Sequence, residues 1–260
     1  MSYMIFDGRG FANKIAERLR DEVIKLDRKP KLVAIVDPTN VAGVKYYQLK
    51  AKMAQKLGVE FTIYTSPQPS PKLGEGDPAK LEGEVLRLNV DPTINGIVIQ
   101  LPFPNSRELI DLIDPRKDVD GLREDSPFQP AVVRAVTEIL GDSFKESPFK
   151  AERRLLVGSR GFVGSRLVRE LNCQGLDIGD DLNKLKDADV IISCTGQPGL
   201  IKPDMVKNGF VAIDVGYPEA EFTPAALAKA SWYTPVPGGV GPVTVAMLFK
   251  NLVDGVSKFR

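Results

Sequence analysis

Histidine is missing from this 260-residue chain, and only two cysteines, Cys173 and Cys194, and a single tryptophan occur in it. Without imidazole, neither a histidine-based triad nor the usual catalytic zinc site can be built, so chemistry falls to Lys, Tyr, Asp, Glu or a bound cofactor. Neither cysteine stands in a CxxC pair, which points to reduced thiols in a cytoplasmic protein. An excess of one charge is also lacking: 35 Lys and Arg face 34 Asp and Glu, so there is no basic field for nucleic acid and no acidic tail. No apolar run approaches the roughly 20 residues of a membrane span. The opening MSYMIFDGRG contains no hydrophobic region of signal-peptide length. Nucleic acid and membrane are therefore not expected as partners, and the cytoplasm is the expected compartment. What the chain does have is 43% hydrophobic residues, enough for a sizeable core in one large domain or two modest ones.

Phe11, Ile15, Leu19 and Val23 recur every four residues between charged neighbours, the spacing of an amphipathic helix. KLVAIV, residues 31–36, is short, apolar and branched, and reads as a buried strand. Helical spacing runs from Gly43 to Leu57 and is closed by Gly58 as a C-cap. Strands over 61–64 and 96–100 flank a helix over 79–88, and Pro102 and Pro104 stop the last of these strands. The alternation begins again at RLLV, 154–157, with further strands over 188–194 and 209–215 and a final amphipathic helix over 243–252. This pattern predicts an α/β fold of two lobes with mainly parallel sheets and a boundary near residue 122. The final helix is expected to pack back on the first lobe.

Tyr46 and Lys50 lie four apart on a predicted helix, so both side chains share one face. A lysine held in an apolar cleft becomes a possible proton acceptor, whereas an ordinary surface lysine is the plain alternative. Gln100 ends a strand where an amide either meets a ligand or caps the strand end. KDVDG, residues 117–121, is too poor in ligands for a metal site, none of which is expected, and reads as a turn with one ligand-facing carboxylate. Gly158, Gly161 and Gly164 lie between a strand and a helix, where glycines admit a pyrophosphate or serve tight packing. Their GxxGxxG spacing is not the dinucleotide fingerprint GxGxxG. Asp177, 19 residues after Gly158, is placed either to accept from ribose hydroxyls or to sit in solvent. Three glycines and three prolines between Thr234 and Thr244 fix a rigid loop that favours a binding role.

Taken together, FDGRGFA (6–12), YYQLKAK (46–52), GIVIQLPFP (96–104), KDVDG, the glycine turn, IDVG (213–216) and TPVPGGVGP (234–242) resemble the methylenetetrahydrofolate dehydrogenase/methenyltetrahydrofolate cyclohydrolase family over nearly the whole chain. The resemblance implies a folate-binding catalytic domain over 1–121 with the helix over 243–260, and a Rossmann-type NAD(P)-binding domain over 122–242. It implies a folate substrate in a cleft between the lobes, Lys50 as the key catalytic residue, Gln100 supporting it, Tyr46 stacking on the substrate and Asp120 holding the pterin-like ring. Pro237, Gly238 and Gly239 join the substrate side, and Gly158, Ser159, Arg160, Gly164, Asp177 and Thr195 the cofactor side. A homodimer is implied as well.

Departures from the family pattern gather on the cofactor side. Ser159 and Arg160 follow Gly158 where arginine and then serine are usual, and Ser165 replaces a proline. Gly179, Asp180 and Asp181 replace a histidine, serine and threonine stretch, and segments are missing after Gly121 and after Gly216. Gly43 stands for a serine on the folate side. The expected function is oxidation of methylenetetrahydrofolate with NADP or NAD, followed by hydrolysis to formyltetrahydrofolate. Three acids near the ribose favour NAD. The alternatives are a cyclohydrolase alone, or a non-catalytic folate- or partner-binding relative; the latter has no need of Lys50 and Gln100 together.

Overall fold

The structure, a computed structural model, describes residues 4–65, 78–143 and 153–259. In chain order the first elements are β1 (Met4–Ile5), α1 (Gly8–Ile24), β2 (Lys31–Val36), α2 (Val41–Leu57), β3 (Glu60–Thr65), α3 (Pro78–Val90), β4 (Gly96–Ile99) and α4 (Ser106–Leu112). There follow α5 (Ala131–Ser143), β5 (Arg154–Val157), α6 (Phe162–Leu171), β6 (Gln174–Leu176), β7 (Val190–Ser193), β8 (Val211–Asp214), α7 (Pro224–Leu227), β9 (Trp232–Tyr233) and α8 (Val240–Lys258). The chain divides into two compact units, one of residues 13–131 with 245–260, the other of residues 1–12 with 132–244.

The first unit holds a parallel three-stranded sheet in the order β3-β2-β4. Five successive residues of β2 and all of β4 are buried, which is why both read as unbroken apolar runs rather than alternating ones. Ile97, Ile99 and Ile35 pack with Val85, Leu88 and Ile110 of the covering helices. Helix α2 is stopped cleanly at each end. The Asn40 side chain accepts from Gly43 N at 2.9 Å, and Gly58, with φ +76°, returns its N–H to Ala54 O. Asn40 also donates to Pro102 O at 3.1 Å, which ties the start of α2 to the loop after β4. At the other end of the chain, Asn251 of α8 donates to Val119 O and Gln129 O, holding the final helix to this unit as expected.

The second unit is a six-stranded parallel sheet, β1-β9-β8-β7-β5-β6. Chain order β5, β6, β7 against spatial order β6-β5-β7 makes a topological switch point beside β5, the place where open α/β sheets bind ligands. Residues 4–12 belong to this unit and not with 13–121, because β1 pairs with β9. A two-residue strand that borrows its partner from the far end of the chain leaves no local pattern to read. Predicted elements otherwise stand where their periodicity put them, with α2 starting two residues before Gly43 and α8 running longer than 243–252.

Candidate active site

Helix α2 carries Tyr46 and Lys50 one turn apart; Tyr46 is half-buried and Lys50 only 5% exposed. Lys50 Nζ donates to Gln100 Oε1 at 2.9 Å. The amide of Gln100 cannot turn round, since its Nε2 is committed to Leu101 O at 2.9 Å. Asp120 Oδ2 stands 3.9 Å from Nζ, close enough for charge attraction but too far for a hydrogen bond. Two effects therefore oppose each other at the amine. Removing an ammonium from water costs several kcal/mol, while a carboxylate at that separation attracts it by about 4 kcal/mol at an effective dielectric near 20. Asp120 keeps 19% of its side chain in solvent, which screens its pull, and burial wins: the Lys50 pKa is lowered, with Asp120 raising it in part. An amine that gives up its proton more readily than an ordinary lysine can serve as a base.

The KDVDG turn separates its two acids by role. Asp118 is 1% exposed, takes Arg123 N at 2.8 Å, and has its pKa pushed up by burial. Asp120 is the carboxylate left open beside Lys50, with its backbone fixed by Ala131 N on Asp120 O. Among the described residues no group of three or more His, Cys, Asp or Glu could hold a metal ion.

In the other unit the glycine turn is closed so tightly that side chains are excluded. A Cβ on Gly164 would lie 2.0 Å from Gly158 O, and one on Gly158, whose φ is +97°, would lie 2.6 Å from Cys194 O. The N-terminus of α6 has no side-chain cap, so its first N–H groups remain donors for a ligand. These features, a cradle that a Cβ would fill and an open helix start at a switch point, fit a pyrophosphate. Ser159 N donates to Leu176 O. The carboxylate of Asp177, just past β6, accepts from Arg160 N at 2.8 Å and Ile178 N at 2.8 Å, so it also pins the turn. Arg160 Nη2 is 3.7 Å from Asp180, and Arg166 lies over the Phe162 ring at 3.6 Å. Burial pushes the Cys194 thiol up to about 12, which leaves it unreactive.

The loop of Pro237, Gly238 and Gly239 follows β9 in the same unit. The Val236–Pro237 bond is cis, and a Cβ on Gly8 would come within 2.1 Å of Gly239 O, so FDGRG and VPGG meet backbone to backbone. Lys50, Gln100 and Asp120 are thus brought together in one unit, and Gly158, Ser159, Arg160, Gly164, Asp177 and Thr195 lie at or just past the carboxyl ends of β5, β6 and β7 in the other. Thr195 brings in Glu221, which sequence reasoning passed over, and Asp214, which stands in the IDVG segment but was given no role. Both are 1% exposed. A buried acid in a loop has the same pattern as a solvated one, and only the hydroxyls of Ser193 and Thr195 at a strand end hint at a hidden acceptor.

The Tetrahydrofolate dehydrogenase/cyclohydrolase family matches this chain in two parts, its catalytic domain over residues 6–120 and its NAD(P)-binding domain over residues 146–260. The bifunctional protein FolD of Xanthomonas axonopodis pv. citri is 33% identical, over 97% of this chain and 92% of its own length. The bifunctional FolD enzyme of Campylobacter jejuni superposes with a TM-score of 0.86 at 26% identity, each chain covered in full. The FolD of Trypanosoma brucei, solved with NADP and an inhibitor, gives 0.84 at 28% identity over 100% of this chain and 99% of that one. On the sequence motifs, the fold and these likenesses, the chain belongs to the tetrahydrofolate dehydrogenase/cyclohydrolase family.

Proposed function

We propose that this protein oxidises methylenetetrahydrofolate to methenyltetrahydrofolate with a nicotinamide cofactor and hydrolyses the product to formyltetrahydrofolate. The observation that carries the reading is the buried Lys50–Gln100 pair, 2.9 Å apart, with the Asp120 carboxylate 3.9 Å from the amine. In the hydrolysis, Lys50 in its amine form, which burial favours, takes a proton from water as the water oxygen bonds to the methenyl carbon. It returns that proton to the nitrogen that leaves when the carbon–nitrogen bond breaks, while the remaining hydroxyl proton passes to solvent as the formyl C=O forms, so the substrate's positive charge departs with that proton and the amine ends as it began. Gln100 orients the amine, and Tyr46 offers a ring face to the substrate. Asp120 accepts from the amide and amino donors of the pterin-like ring, a pairing that an acceptor-only carboxylate suits.

A bound nicotinamide supplies the hydride acceptor for the oxidation. The turn of Gly158, Ser159, Arg160 and Gly164 with the start of α6 binds its pyrophosphate, and Thr195 lines the crevice. NAD is the preferred form. Asp177 repels a 2′-phosphate and accepts from a free ribose hydroxyl, while Arg160 is engaged by Asp180 and Arg166 by Phe162. The protein works as a cytoplasmic homodimer, on its family resemblance. Steady-state reduction of NAD and NADP at equal concentration tests the reading: faster reduction of NAD is expected. Preference for NADP assigns the phosphate to Arg160 or Arg166, and no reduction with either leaves a cyclohydrolase alone.

A further inference from the structure

Glu221 lies outside every motif and is used by none of the chemistry above. Its carboxylate, 1% exposed, gathers four donors from a single turn. Oε2 accepts from Thr195 N at 2.8 Å, from Thr195 Oγ1 at 2.7 Å and from Ser193 Oγ; Oε1 accepts from Gly196 N at 2.7 Å. All four partners are neutral, and no lysine or arginine among the described residues forms an ion pair with it. The turn follows β7 directly, and its Cys194 carbonyl faces Gly158 across the switch point. Glu221 is itself held from behind, since its N–H donates to Asp214 Oδ2 at 2.8 Å at the end of β8.

This arrangement decides what the turn can offer a ligand. The N–H groups of Thr195 and Gly196 are drawn inward, the one hydroxyl proton of Thr195 is given to Glu221, and Gln197 N donates to the same oxygen at 3.1 Å, so what the Thr195 hydroxyl has left for a ligand is its second lone pair, an acceptor and not a donor. A phosphate needs donors and avoids a buried anion, so it belongs at the uncapped start of α6 instead. We propose that Glu221 is a positioning residue for the dinucleotide: it sets the Ser193–Gly196 turn so that Thr195 accepts from the hydroxyl and amide donors of the nicotinamide nucleoside. The inference rests on the dinucleotide reading above.

Glu221→Gln keeps the shape of the side chain but replaces one acceptor by a donor, which the N–H groups of the turn cannot meet. The test titrates wild type and variant with NADH by fluorescence and with ADP by calorimetry, and follows methenyltetrahydrofolate hydrolysis as a check on folding. NADH binding is expected to weaken about tenfold, and the dehydrogenase KM for the dinucleotide to rise more than kcat falls. ADP affinity and hydrolysis should hold. Thr195→Val, which removes the hydroxyl and leaves the carboxylate, should weaken NADH in the same direction. Unchanged NADH binding in Glu221→Gln overturns the inference, as does equal weakening of NADH and ADP or loss of hydrolysis along with binding. A wild type that binds no dinucleotide fails before any variant is compared, and the reading on which the inference rests falls with it.

Discussion

The two units build their sites from different materials. In the folate unit three side chains from distant positions, Lys50, Gln100 and Asp120, converge on one point. In the dinucleotide unit the proposed binding surface is mostly backbone: glycines that approach to touching distance, an uncapped helix start, and a turn whose donors are consumed by Glu221. A side-chain site depends on the identity of each member, whereas a backbone site depends on Gly158 and Gly164, where a Cβ would strike Cys194 O and Gly158 O.

The largest expected effect is in the side-chain site. Lys50→Met keeps the apolar stem but removes the nitrogen, and hydrolysis of methenyltetrahydrofolate should fall by about 10³-fold with folate binding retained. Absorbance of the methenyl compound reads this directly, and hydrolysis at the wild-type rate would refute the assignment. The matching break in the backbone site is Gly164→Ala. Its methyl would lie 2.0 Å from Gly158 O, a clash that forces the turn apart at a cost of about 1–3 kcal/mol and should abolish NADH binding as seen by fluorescence.

Asp120→Asn sharpens the comparison, because it alters two properties of one site. Loss of a charge-assisted pairing, about 1.5–3 kcal/mol, should raise the folate dissociation constant about 10- to 100-fold by calorimetry. At saturating folate a second effect appears. Asp120 raises the Lys50 pKa against the dominant lowering by burial, so without it the rising limb of the hydrolysis pH profile moves to lower pH. A limb that stays in place or moves up contradicts this.

The smallest effect concerns stability in the dinucleotide unit. Burial raises the pKa of Asp214 from 3.8 to about 6. A raised folded pKa means that the native state holds the proton more tightly than the unfolded chain. Its stabilisation is full below about pH 4 and lost as pH rises through about 6, on the order of 3 kcal/mol. Asp214→Asn cannot titrate, so the stability difference between wild type and variant should change across that window in urea unfolding. A difference that is flat from pH 4 to 6 would contradict it.

The same contrast governs how much could be read without the structure. The strand Lys31–Val36 and the Gly58 cap were legible because continuous burial and a left-handed cap each leave a local signature. Lys50 and Gln100 were legible as candidates, from a shared helix face and a strand end, but their contact joins positions fifty residues apart and no period records it. Asp177 was singled out by its spacing from Gly158, but that spacing does not reveal that its carboxylate ties down Arg160 N. Glu221 and Asn251 were missed, and Asp214, inside the quoted IDVG segment, was given no role. Each is a lone polar residue that is buried only because the chain folds its partners around it.

The separation of the two sites is tested most directly by crossing the two strongest variants. Hydrolysis of methenyltetrahydrofolate and binding of NADH are measured on Lys50→Met and Gly164→Ala, purified alongside wild type. Lys50→Met should lose hydrolysis and bind NADH as wild type does, while Gly164→Ala should hydrolyse normally and fail to bind NADH. If each variant loses both properties while remaining folded, or if Lys50→Met still hydrolyses at the wild-type rate, the account of a side-chain site in one unit and a backbone site in the other is wrong.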